Sequence, residues 1–167
     1  MPVVSFDALP ADARVWVFAA DAPLGDDAER VLLTNVDAFL SQWNAHGHAL
    51  RCARAWRDAR FLAIGVDQST AGASGCSIDG LFRVFKELQP KLGASLMPGP
   101  RVYWRAGDGS VQVAGRSEFA KLAASGGVTS DTAVFDTTVT TADGWRDRFE
   151  RRARESWHAT LLAGAAS

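Results

Sequence analysis

Residues 60–92, RFLAIGVDQSTAGASGCSIDGLFRVFKELQPKL, carry the pattern that decides the fold. Arg60 to Val66 is apolar at both alternating sets of positions, as a central strand covered on both faces requires. From Ser77 the period changes. Ile78, Leu81, Phe82, Phe85, Leu88 and Leu92 recur at helical spacing and Gly93 ends the run, which predicts a helix over 77–92. Between strand and helix, no side chain from Thr70 to Gly75 is large enough to pack much.

The same alternation of periods extends outward. Residues 14–20 (RVWVFAA) read as another two-faced strand, broken by Pro23 and Gly25. Asp26 and Asp27 suit the positive end of a helix over 26–46, with Leu32, Val36, Phe39, Leu40 and Trp43 as its stripe and Gly47 as its stop. A strand over 49–56 and a turn at Arg57 and Asp58 lead back to the central strand, and another strand is expected over 101–106. The order β-α-β-β-α-β predicts an α+β fold with a ferredoxin-like half, both helices lying on one face of a mainly antiparallel sheet.

Beyond it, Gly107-Asp108-Gly109 signals a hairpin between strands over 101–106 and 110–114. Ser117 is expected to cap a short helix, and residues 133–140 to form a strand. Trp145, Phe149, Ala153 and Trp157 recur every four residues among five arginines, so the tail stays open between helix and extended chain. One domain over 1–167 is expected, with a core over 1–106 and a small β-rich extension over 107–167.

Composition excludes several classes. Hydrophobic residues make up 47%, charged residues 22%, and the net charge is −1, so no whole-chain field favours nucleic acid or an acidic membrane. The amino-terminal residues lack a signal-peptide pattern, and no apolar run reaches membrane-spanning length. Two cysteines, Cys52 and Cys76, are too few for a disulfide framework, and the expected compartment is the cytoplasm.

Cys76 is the chemical question. A helix starting near Ser77 leaves amide N–H groups unpaired and places partial positive charge beside the thiol, which lowers its pKa. Gly72 and Gly75 permit close approach of a ligand, and Ser74 and Ser77 add hydroxyl donors. The same geometry cradles an anion without using the thiol. A plainer reading has Ser77 as helix cap, Asp79 as dipole complement and Cys76 as a small filler. If Cys76 is a nucleophile, His46 or His158 is its candidate base, with Asp67 or Asp79 orienting the ring. No metal set is expected from three scattered histidines, and no cofactor. A Walker loop is excluded because no lysine follows Gly75. The tail arginines Arg146, Arg148, Arg151, Arg152 and Arg154, flanked by Trp145 and Trp157, fit an RNA-contacting arm less well than a solvated, salt-bridged face.

The blocks LPADARVWVFAADAPL, WNAHG, RFLAIGVDQSTAGASGCSID, DTAVF and SWHA resemble a family of short bacterial proteins, common in Bacteroidetes-type genomes, that often carry the label "ABC transporter ATPase". The label conflicts with the missing Walker lysine. The resemblance spans nearly the whole chain and implies no established reaction. It draws attention to Trp43, His46, Gly47, Asp67, Gly72, Ser74, Cys76, Ser77, Asp79, Trp157 and His158, and it implies a helix near Trp157. The expectation is a binding or regulatory protein with a site at 67–79 for a small anionic ligand or a protein partner, and no membrane partner. The alternatives are a Cys76-dependent enzyme or redox-responsive protein and, more weakly, an RNA- or ribosome-contacting protein.

Overall fold

The computed structural model describes residues 3–45, 47–69, 75–96 and 100–162, with backbone only at 45, 48, 49 and 75–77. The chain is α+β and divides into two compact units. Unit 1 takes residues 1–97 with Thr140–Trp145, and unit 2 takes Pro98–Val139 with residues 146–167.

Unit 1 is built on three antiparallel strands, β1 (Arg14–Ala19), β4 (Cys52–Arg57) and β5 (Phe61–Val66), in the order β1-β5-β4. The register sets Phe18, Leu62 and Trp56 in one row and Trp16, Ile64 and Arg54 in the next, so these share a face. On that face Leu32, Val36 and Leu40 of α1 (Asp26–Ser41) and Ile78, Leu81, Phe85 and Leu88 of α2 (Gly75–Leu92) join the strand residues in one buried cluster. Both helices therefore cover the same face, as their stripes predict.

The opposite face carries Val15, Gly65 and Ala53 in one row. A Cβ on Gly65 would lie 2.5 Å from Leu9 Cδ1 and 3.2 Å from Phe6 Cε2. Only glycine lets the segment around the 3₁₀ turn Phe6–Ala8 pack so closely on the central strand. Trp145 tilts against Phe6 on the same unit, at 6.3 Å between centroids.

Three expectations need correction here. The ferredoxin-like sheet is not completed: its anticipated last strand, β6 (Val102–Arg105), pairs elsewhere. The open side of β1 is instead met by the Thr140–Thr141 backbone, through the Arg14–Thr141 bridge and a 2.9 Å bond from Val15 N–H to the Thr140 carbonyl. Next, α1 stops at Ser41, five residues short of His46. Trp43 continues the stripe into the core, but Asn44–Ala45 (β2) turns back to pair with His48–Ala49 (β3). Gly47, at φ +79°, is the left-handed residue of that ribbon turn rather than a helix stop. Finally, α2 begins at Gly75, so Cys76 is the second residue of the helix.

In unit 2 a second antiparallel sheet runs β7-β6-β8-β9, with β7 (Val111–Ala114), β8 (Ala133–Phe135) and β9 (Glu150–Arg152). Gly107-Asp108-Gly109 makes the expected β6–β7 hairpin. The strand expected over 133–140 ends at Phe135, because Asp136 Oδ1 turns back to accept the Thr138 amide at 2.9 Å. The next helix is α3 (Arg116–Ser125), whose N-cap is Gly115; Ser117 lies inside it and makes no cap bond. Val102, Trp104, Phe119, Ala123, Val134 and Ala153 form this unit's core. The tail is neither one helix nor one strand. Helix α4 (Ala142–Arg148) is followed by β9, a 3₁₀ turn at Ala153–Glu155 and the short α5 (Ala159–Leu162), directly after Trp157 and His158.

Candidate functional site

Asp67 is the first residue beyond β5 and is buried, with 4% of its surface exposed. Its amide bonds the Arg51 carbonyl at 2.9 Å, which extends the β4–β5 register by one pair. Its Oδ1 accepts the Ser69 amide at 3.0 Å and the Ser69 hydroxyl at 2.6 Å, and its Oδ2 faces Arg51 Nη1 at 3.3 Å. The Ser69 hydroxyl and amide, with Arg51 adding to them against the cost of burial, hold the Asp67 carboxyl below its ordinary range. The side chain is thus a fixed carboxylate that pins the entry of the loop to α2. Arg51, whose side chain is 41% exposed, keeps solvent access beside it.

The loop's far end is the start of α2. Gly75, Cys76 and Ser77 are its first three residues, where the amides of an eighteen-residue helix lack intrahelical acceptors. Asp79 is exposed and lies one turn in, beyond the first turn. Gly72, Ser74 and His46 lie outside the described residues. Chemically, the described parts offer a pinned carboxylate, a half-exposed guanidinium and a helix terminus bearing a thiol-containing residue.

Trp43, Trp157 and His158 each pack within their own unit. Trp43 is buried in the core of unit 1, 5.4 Å from Phe39 and 6.1 Å from Trp16 between ring centroids. His158 and Trp157 belong to unit 2. His158 is fully buried, its Nδ1 2.6 Å from Ser156 Oγ. Burial pushes its pKa down to about 4; Asp136 opposes that shift, and Arg116 and Arg151 add to it. Cys52, the other thiol, sits in β4 with no exposure, its Sγ 3.6 Å from the Leu40 carbonyl oxygen, and burial raises its pKa to about 11.

Sequence reasoning missed Arg51. The signal was present: once the turn at Asp58 fixes the hairpin, counting back from it sets Arg51 opposite Asp67. A separate open groove of about 670 Å³ lies in unit 1 between residues 3–6 and a wall made by Asp37, Ser41 and Arg54. Its charged groups are already spent on each other, because Arg54 grips Asp37 through two bonds of 2.7 and 3.0 Å. Among the described residues no three His, Cys, Asp or Glu side chains are grouped to hold a metal ion, and no helix is long and apolar enough to cross a membrane. Comparison with known proteins finds no matching family model, no matching curated protein and no matching solved structure.

Proposed function

We propose that the chain is a cytoplasmic binding or regulatory protein whose site is the 67–79 segment, receiving a small anionic ligand or an acidic group of a protein partner. The observation that carries this reading is the Arg51–Asp67 pair at the loop entry. Asp67 is satisfied by Ser69, so it organises the loop, while Arg51 retains exposed guanidinium surface for an anion. The amino end of α2 closes the same loop and favours negative charge.

A second reading, thiol chemistry at Cys76, is favoured by one observation: Cys76 lies in the first turn of a long helix, where thiolates are stabilised. One pair of reagents tests both. Iodoacetate is an anion and iodoacetamide is neutral, and both alkylate the thiolate. An anion cradle raises the iodoacetate-to-iodoacetamide rate ratio at Cys76 above that of the unfolded chain, and Arg51→Gln lowers it. A thiol enzyme additionally shows fast reaction with both reagents near neutral pH. Slow reaction with both, and an unchanged ratio, overturns both readings.

A further inference from the structure

A second cluster of polar groups lies entirely within unit 2. The sheet register sets Arg151 opposite Val134 and Val134 opposite Trp104, so Arg151 shares the face on which Trp104 packs edge-on to Phe119, at 5.3 Å. His158 meets Phe119 at 6.1 Å and stacks on Trp157 at 4.0 Å. One turn before Phe119 on α3, Arg116 stands 5.1 Å over the same indole. Arg116, Trp157 and His158 thereby meet on one patch, and Arg151 lies near enough for its charge to act on His158. Three of their nitrogens, Arg151 Nε, Trp157 Nε1 and His158 Nε2, are buried without a hydrogen-bond partner. Among the described residues neither Arg116 nor Arg151 makes an ion pair.

We infer that this patch binds a small oxyanion, a phosphate or a carboxylate, whose oxygens accept from Trp157 Nε1–H, Arg151 Nε–H and His158 Nε2–H. Donor chemistry selects the ligand. An indole N–H and a guanidinium can only donate. His158 Nδ1 is engaged by the Ser156 hydroxyl, and when that hydroxyl donates, the ring proton sits on Nε2. Burial keeps the imidazole neutral near pH 7, so it contributes a donor without adding charge. The charge comes from Arg116 and Arg151. The carboxylate acting on His158, Asp136, directs its Oδ1 to the amide and hydroxyl of Thr138. A buried donor left unpaired is destabilising, so three in one patch call for an acceptor. This inference does not rest on the reading of the 67–79 segment.

The test follows the indole N–H signals of the six tryptophans in ¹⁵N-labelled full-length protein, with Trp157 identified by its loss in Trp157→Phe. Sodium phosphate is titrated at pH 7.5 against sodium chloride of matched ionic strength, and sodium acetate is run in parallel. Saturable movement of the Trp157 signal by phosphate or acetate, weakened about tenfold or more in Arg151→Lys, supports the site, and the stronger of the two anions names its chemistry. Arg116→Gln serves as a second arm should Arg151→Lys lose its dispersed spectrum. No saturable movement, or movement unchanged in the folded variants, overturns the inference and leaves bridging water as the partner of these nitrogens.

Discussion

Arg51 and Asp67 face each other across the open end of the β4–β5 hairpin, joined by a 2.9 Å backbone bond and a 3.3 Å side-chain bond. The pair marks where regular pairing stops and the loop to α2 begins. Asp67 is held more by Ser69 than by Arg51, so the two members have separable roles. Removing the carboxylate should unsettle the loop; removing the guanidinium should leave the fold and weaken anion recognition.

Asp67→Ala should therefore lower unfolding stability by about 1–3 kcal/mol, since the Ser69 amide and hydroxyl lose a charged, buried acceptor. Arg51→Gln should cost less than about 1 kcal/mol, as expected for a partly exposed pair. Urea denaturation of the two variants checks this. Equal losses in both would mean that the ion pair, rather than the Ser69 bonds, holds the loop entry.

The turn of the same hairpin offers a gain. Asp58 and Ala59 have φ +56° and +55°, left-handed values that cost an alanine roughly 1 kcal/mol. Ala59→Gly creates the Asp-Gly pair that this turn favours and should raise stability by up to about 0.5 kcal/mol, once the extra freedom glycine gains on unfolding is subtracted from the relieved strain. Thermal denaturation reads it directly, and a lowered Tm would contradict the turn geometry.

How much of this was legible follows from the kind of signal each element leaves. The stripes of α1 and α2 and the two-faced run of β5 are periodic over many residues, so helices, central strand and shared face could all be read. The fate of β6 could not. Its apolar run suits either sheet, and the Thr140–Thr141 backbone that meets β1 comes from more than 120 residues away, at the end of a β-branched run whose sequence does not name its partner. The end of α1 was misread because Trp43 keeps helical spacing while the backbone has already left the helix. Cys76 at a helix start and Asp67 at a strand end were readable from local chemistry. Arg51 needed the register, and the Trp157–His158 patch needed the tertiary packing of unit 2.

His158 makes acid the informative stress for unit 2. Its folded pKa of about 4 lies below the ordinary 6.5, so between these values the unfolded chain takes up a proton that the folded chain refuses. Stability should fall as pH drops from about 6.5 to about 4 and level off below. The loss from this residue is on the order of 3 kcal/mol at most. His158→Gln, compared with the parent protein across that range by urea denaturation, should flatten this part of the profile. Parallel profiles would show that the buried imidazole does not couple folding to protons.

The central claim, a site for negative charge at the amino end of α2, is tested most directly by site-resolved alkylation. Native protein is treated with iodoacetate or iodoacetamide across pH 6–9, and Cys76 and Cys52 are quantified separately by peptide mass spectrometry. Cys52, buried and with its pKa raised to about 11, should react only as the protein unfolds. Cys76 should react first, with a midpoint below the roughly 8.5 of an ordinary thiol and a preference for iodoacetate that Arg51→Gln reduces. A Cys76 that reacts no faster than Cys52, or that shows the same reagent ratio as the unfolded chain, would contradict the account.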